Sequence, residues 1–344
     1  MRKAALILSA FVAGVLLYCA TLPNLTLAGD LEIYRAAARA ANPYDARQVV
    51  AAMTAEGRAV KWVLDWADAR GCSPFFYPPL VWWGMKPLGA LDYRAAFAAM
   101  TALTLVAFGV LVARTPRGAR EDFAILALPT IAMNIAVGQI NVMLVALADL
   151  GLAGLAAVCK PFLLASWRSR REAILNGAVF GALMLAQTLA APALFRAWLG
   201  NLPCLDALGG TGAWQAGIRA LLPVPAGARE WLWLAGLAVG GPLGLALAAL
   251  LTSASWVPYD VFFLPLLRKR LAEGASPVVH AAWALMVIGN LPFLPPILGA
   301  VGRVALLTES AIRGIKRAKR PAGGSPRAGR FFVIHPSHFK EVRE

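Results

Sequence analysis

The sequence predicts an all-helical fold: a polytopic membrane bundle of roughly eight to ten spans, with juxtamembrane helices in its first outward loop. Three observations predict it. The 344 residues are 59% hydrophobic and 15% charged, with a mean hydropathy of +0.64, whereas ordinary soluble domains are about 25% charged. Apolar blocks that reach or approach the roughly 20 residues needed to cross about 30 Å of hydrocarbon recur along the chain. Short basic clusters flank them at Arg2-Lys3, Arg114 to Arg120, Arg168 to Arg171, Arg268 to Arg270 and Arg313 to Arg320, as the positive-inside rule expects of cytoplasmic loops. The short alternating segments of a β-barrel are absent from this pattern.

Taken in order, Ala4 to Thr21 follows Arg2-Lys3 and reads as a retained anchor with a cytoplasmic N-terminus, there being no tidy small-x-small cleavage site after it. Residues 22–74 then face outward and carry six acidic residues. Within them, Leu31 to Ala41 and Ala46 to Ala67 are rich in helix formers and read as surface helices separated by Asn42-Pro43. Tyr77 to Ala90 holds Pro78, Pro79 and Pro87 and is either a short span or a re-entrant piece. The clearest further blocks are Ala95 to Ala113, Phe123 to Val137, Val142 to Leu164, Ala173 to Leu194, Trp231 to Leu251 and Ala281 to Leu307. A second outward loop, 195–230, is rich in Gly and Pro. Ser255 to Leu267, with Pro258, Asp260 and Pro265, leaves the topology open before Arg268. The chain thus divides into an integral-membrane domain, 1–312, and a basic cytoplasmic tail, 313–344, whose Pro321 to Pro326 stretch reads as flexible. No repeat of fixed period is present.

The formal charge of +15 does not indicate nucleic-acid binding, because the basic clusters are dispersed between apolar blocks rather than gathered into one footprint. The four cysteines have no metal-ligand spacing. Cys19 and Cys159 lie in apolar runs as inert thiols, whereas Cys72 and Cys204 fall in the two outward loops, where an oxidising space would let them pair.

Carboxylates gathered just outside a span need a reason, and Asp30 stands first among them. It can be the N-cap of a helix beginning at Leu31, or a partly desolvated general base toward a hydroxyl. Glu32 makes an Asp-x-Glu pair with it, a weak cation signal, and no divalent metal or other cofactor is expected. Arg35, Arg39, Arg58 and Lys61 are outward cations that can face a phosphate or simply be solvated. Gln139 and Asn141 can hold a sugar hydroxyl or pair between helices. Asp149 and Lys160 are ionisable groups in an apolar run; on one continuous helix they would lie about 16 Å apart, leaving Lys160 to reach an interface or a lipid phosphate. Trp82, Trp83, Trp231 and Trp233 read as an interfacial belt, the first two alternatively as a polyprenyl groove.

Several short motifs occur in a fixed order: Gly29, Asp30 and Tyr34; Asn42 to Asp45; Phe75, Tyr77, Pro78, Pro79 and Leu80; Gly138, Gln139 and Asn141; then Lys160 and Pro161. In this the chain resembles glycosyltransferase family 87, polyprenol-phosphate-mannose-dependent α-1,2-mannosyltransferases and their relatives with the C-type glycosyltransferase fold. The resemblance implies a multi-pass hexosyltransferase of the cell (plasma or inner) membrane. It would take a sugar, mannose in the relatives, from a polyprenyl-phosphate carrier and transfer it with inversion to a glycolipid or glycan hydroxyl on the outer face. It places Asp30 as catalytic base and makes Glu32, Tyr34, Arg35, Tyr44, Tyr77, Gln139, Asn141, Lys160 and Tyr259 candidates for substrate binding. Membrane lipids are the remaining expected partners. Two departures stand out: relatives separate the Gly-Gln-x-Asn and Lys-Pro spans by a short basic loop that is missing between Gln139 and Leu164, and Pro258 stands where a histidine is often found. The rival reading is a transporter or a non-catalytic lipid-binding scaffold, for which Asp149 and the Gly240-Gly241-Pro242 break would be the signs.

Overall fold

The computed structural model describes residues 29–56, 67, 71–204, 231–252, 261–274, 276–288 and 297–318. All regular structure among the described residues is helical. Arg58, Lys61, Pro258 and Tyr259, named above, lie outside them.

Two short helices open the described chain, α1 (Gly29–Arg39) and α2 (Ala46–Ala55). Every α1 side chain from Leu31 to Ala38 is buried, so this helix is a packed strut rather than a surface element. Asp45 ends the Asn-Pro-Tyr-Asp motif by capping α2, accepting from the Arg47 and Gln48 amides at 2.9 and 3.4 Å. The next helix, α3 (Pro79–Ala90), starts with Pro at its first position and packs on α1. Its 12 residues rise only about 18 Å, too little to cross a bilayer. Trp82 is buried in this contact, its indole N–H donating to the Ala37 carbonyl at 2.7 Å, and Lys86 Nζ donates to the Ala38 carbonyl at 2.8 Å. Trp82 is therefore an internal tie and not part of an interfacial belt; Trp231, 63% exposed, remains available to one.

Among the described residues, two helices are long and apolar enough to span a membrane, α4 (Tyr93–Ala113) and α8 (Arg170–Ala190), with 21 residues each. Asp92 caps α4 by accepting from the Ala95 amide. Ser169 caps α8, accepting from the Glu172 amide while the Glu172 carboxylate accepts from the Arg168 amide, which is capping-box logic one residue displaced. Between them, α5 (Arg117–Val137) begins with charged residues and contains Pro129.

The apolar run Val142 to Leu164, expected as one span, is two short helices, α6 (Asn141–Asp149) and α7 (Ala153–Cys159), followed by a 3-10 helix, Pro161–Ser166. Leu150, Gly151 and Leu152 form the turn, with Gly151 in the left-handed region at φ 88°. Helices α6 and α7 pack on each other as a hairpin, so the continuous-helix separation of Asp149 and Lys160 does not apply. Asp149 ends one arm and Lys160 the other. Helix α9 (Pro192–Asn201) follows α8. Then come α10 (Leu234–Val239), α11 (Gly241–Thr252), α12 (Leu264–Ala272), α13 (Pro277–Ile288) and α14 (Ile297–Ala318). Helices α13 and α14 pack together, and Trp283 ties α13 to α5 by donating to the Leu126 carbonyl at 2.8 Å.

The Phe75 to Pro79 segment is held from α9. Asn201 donates through Nδ2 to the Ser73 and Phe75 carbonyls and accepts from the Ser73 amide, and Trp198 Nε1 donates to the Phe76 carbonyl at 2.8 Å. Cys72 and Cys204 are disulfide-bonded across 132 residues, with Cα atoms 6.1 Å apart, inside the range a bridge requires. Two predictions follow from this clasp. Alkylation of the denatured, unreduced protein should modify Cys19 and Cys159 and spare Cys72 and Cys204. Reduction, or paired Cys→Ser replacement, should destabilise the protein by about 2–4 kcal/mol in thermal unfolding.

Candidate active site

Asp30 lies in the first turn of α1, half-buried. Its carboxylate is not used as a helix cap; it accepts a hydrogen bond from Nε2 of Gln139, 109 positions later. The other end of that amide, Oε1, accepts from the Tyr34 hydroxyl at 3.1 Å, and the Tyr34 and Tyr77 hydroxyls lie 3.2 Å apart. Tyr34 is one helical turn along from Asp30, so both face the same partner. The Tyr34 and Tyr77 rings meet edge to face at 5.7 Å. A chain Asp30–Gln139–Tyr34–Tyr77 thus ties the amide's orientation at both ends.

A glycine makes this meeting possible. Gly138 ends α5 in the left-handed conformation, φ 75°, and a Cβ there would fall 2.6 Å from the Leu31 Cβ. Only glycine lets α1 approach this turn closely while the chain reverses direction. Gln139 and Asn141 follow at the mouth of the α6–α7 hairpin, and the hairpin's return arm ends at Lys160. Asn141 is buried with its Oδ1 unpaired, so that this amide has acceptor capacity left for a hydroxyl.

Burial pushes the Asp30 carboxyl up to about 6, against the opposing pull of the Gln139 hydrogen bond and the Lys160 charge. Desolvation outweighs both. At neutral pH the group is ionised yet holds a proton more readily than an ordinary carboxylate, which is the condition for a general base. Lys160 combines this electrostatic reach with a place over the Phe262 ring, 5.6 Å from its centroid.

The other predicted residues take separate places. Tyr44 donates to the Tyr77 carbonyl at 2.8 Å and leans on Phe75, so it positions Tyr77 from behind. Glu32 points away from Asp30 and pairs with Arg35 at 3.3 Å. Arg35 is fully buried; it also meets Glu56 at 2.6 Å and donates to the Leu91 carbonyl at 2.9 Å. Arg39 joins the same Glu56 and the Gly89 carbonyl. These arginines hold α1 to the end of α2 and to the end of α3. Among the described residues no three His, Cys, Asp or Glu side chains gather in a form that could hold a metal ion.

Asp149, at the far end of α6, is the residue whose surroundings the sequence did not disclose. Arg114 Nε reaches its Oδ2 at 2.8 Å, Arg268 Nη1 reaches Oδ2 at 2.9 Å, and Arg168 Nη2 lies 3.3 Å from Oδ1. Each arginine comes from a different basic cluster flanking an apolar block, and that shared placement is the one signal that could have grouped them.

No curated protein and no solved structure matches the chain. The model of glycosyltransferase family 87 matches residues 75–263, more than half of the chain. That stretch contains Tyr77, the Gly138–Asn141 turn and Lys160, three of the parts that converge on Asp30. The chain belongs to glycosyltransferase family 87, a family of membrane glycosyltransferases.

Proposed function

We propose that this protein is a multi-pass hexosyltransferase of the cell membrane, with the C-type glycosyltransferase fold in roughly eight to ten spans. It moves a sugar, mannose on the family's precedent, from a polyprenyl phosphate to a hydroxyl of a glycolipid or glycan acceptor on the outer face. The observation that carries this reading is the half-buried Asp30 carboxylate with raised proton affinity, held by Gln139 and facing the Lys160 charge. Outward placement draws support from the Cys72–Cys204 bridge, which joins the two loops expected on that side.

The chemistry needs few parts. Asp30 accepts the acceptor's hydroxyl proton as that oxygen bonds to the anomeric carbon. The carbon–oxygen bond to phosphate breaks on the opposite face, and polyprenyl phosphate leaves with the electron pair, giving inversion. The leaving group is already a stable anion, so it needs a cation beside it rather than an acid, and Lys160 is that cation. Gln139, Asn141, Tyr34 and Tyr77 offer amides and hydroxyls to the sugar. The polyprenyl tail runs along lipid-facing surface, and no metal takes part.

Replacing Asp30 by Asn keeps the shape and removes proton acceptance, so transfer from radiolabelled polyprenyl-phosphate-mannose in isolated membranes should fall by at least about a hundredfold, with expression unchanged. Wild-type turnover in Asp30→Asn would remove the assignment. Chelation should leave wild-type transfer intact, and nucleotide sugars should not replace the lipid donor.

The pH profile gives an independent test. The base works only when ionised, so kcat/KM should rise as pH passes through about 6 and then level off. Gln139 stabilises the ionised carboxylate, so Gln139→Leu removes an effect that lowers the pKa, and the rising limb should move to higher pH. An unshifted limb in that variant would separate Gln139 from the base.

A further inference from the structure

At the opposite end of α6 from Asp30, Arg114, Arg168 and Arg268 close on the single carboxylate of Asp149. Three guanidinium groups share this one carboxylate, and with Glu172 on the Arg168 backbone amide the cluster still keeps an excess of positive charge. Arg114 uses only Nε on Asp149, and the Arg114 and Arg168 side chains stay 43% and 46% exposed. Their remaining N–H groups are directed by a neighbour that cannot satisfy all of them. Beside Asp149 lies a cleft whose polar wall is Ser166, Arg168 and Arg268 and whose apolar wall includes Val145, Leu245 and Pro242. Ser166 is nine-tenths buried, yet its hydroxyl has no hydrogen-bond partner. A buried hydroxyl left unpaired in a lining of arginines is a cost unless something enters to meet it.

The cleft wall is held rigid from behind. Trp167, between Ser166 and Arg168, donates to the Leu237 carbonyl at 2.9 Å, and its own carbonyl accepts from the Gly241 amide at 2.6 Å. A Cβ on Gly240, φ 66°, would strike the Trp167 ring at 2.5 Å, so the glycine pair at that break exists to seat this loop. Arg114 directly follows α4 and Arg168 nearly precedes α8, so the cluster sits where both membrane-length helices terminate. Leu150 and Leu152, immediately after Asp149, are each 48% exposed.

From this arrangement we infer that the cleft of Ser166, Arg168 and Arg268 beside Asp149 is a binding site for a phosphate ester, the headgroup of an anionic membrane phospholipid. The guanidinium groups meet the phosphate oxygens, Ser166 donates its free hydroxyl, and the acyl chains lie over the exposed Leu150 and Leu152. Asp149 holds the arginines apart and aimed. The site is separate from sugar transfer: it lies at the other end of the hairpin and uses none of the residues assigned to Asp30.

The test uses the full-length protein, delipidated in detergent and offered equal phosphatidylglycerol and phosphatidylcholine, with retained lipid read by native mass spectrometry. Phosphatidylglycerol should be kept about fivefold or more over phosphatidylcholine. Arg168→Gln, at an exposed position, should bring retention close to that of phosphatidylcholine without lowering the unfolding temperature, and Ser166→Ala should give a smaller loss. Millimolar inorganic phosphate should fail to displace the lipid; displacement would keep the phosphate site and assign it to a soluble ligand instead. Equal retention of both lipids with no thermal shift from phosphate, or unchanged retention in both variants, would overturn the site. Because no sugar donor is present, neither result bears on the transfer reaction.

Discussion

The close approach of α1 to the left-handed turn at Gly138 is the constraint from which the site follows. With Leu31 packed where a Cβ at residue 138 would stand, the amide of Gln139 reaches the Asp30 carboxylate and the Tyr34 hydroxyl at once. Backbone reversal there starts α6, and the three-residue turn at Gly151 sends the chain back as α7 to deliver Lys160 to the same end. A carboxylate, an amide, two phenols and an ammonium group come together because one residue lacks a side chain. A Cβ at residue 138 would both strain a positive φ and push α1 away, so the loss would fall on geometry before it fell on stability.

Charges buried around this core are paired at either end of the helices that run between them. Arg35 is matched by Glu32 and Glu56 near the start of α4, and Asp149 is matched by arginines near its end. Removing one partner of the fully buried Arg35–Glu32 pair strands the other at about 3–5 kcal/mol, so that network fixes the register of its helices. Asp149 instead shares three arginines, two of them nearly half exposed, and tolerates the loss of one. Asp30 stands apart from both networks: burial raises its proton affinity against the pull of Gln139 and Lys160, whereas burial of Asp149 is outweighed by the cations that surround it and hold its carboxyl low.

Much of this was legible in the sequence, and the parts that were not share a physical cause. Helical architecture, two short helices on either side of Asn42-Pro43, Asp30 and the Gly-Gln-x-Asn motif are local features, readable from composition and short spacing; that the first of these helices is buried and not a surface element was not. The pairing of Cys72 with Cys204 could be named as a possibility because both fall in outward loops, though only the fold brings their Cα atoms to 6.1 Å. The meeting of Asp30 with Gln139 depends on two turns packing across more than a hundred residues, which no spacing encodes. Val142 to Leu164 reads as one span because Leu150 and Leu152 keep the break apolar; Gly151 and the arginines on Asp149 are what divide it. Arg35 reads as an outward cation because its partner Glu56 lies 21 positions away, and Trp82 reads as an interfacial aromatic because its acceptor is a backbone carbonyl on another helix.

In the proposed reaction Asp30 is a carboxylate kept ionised at neutral pH but lifted toward a working base by its surroundings. An infrared pH titration of the purified protein, subtracting the Asp30→Asn variant, isolates the carbonyl stretch of that one group when protonated. A single titrating band with its midpoint at about 6 is expected. A midpoint near 4, the ordinary carboxylate range, would show a solvated surface acid and contradict it.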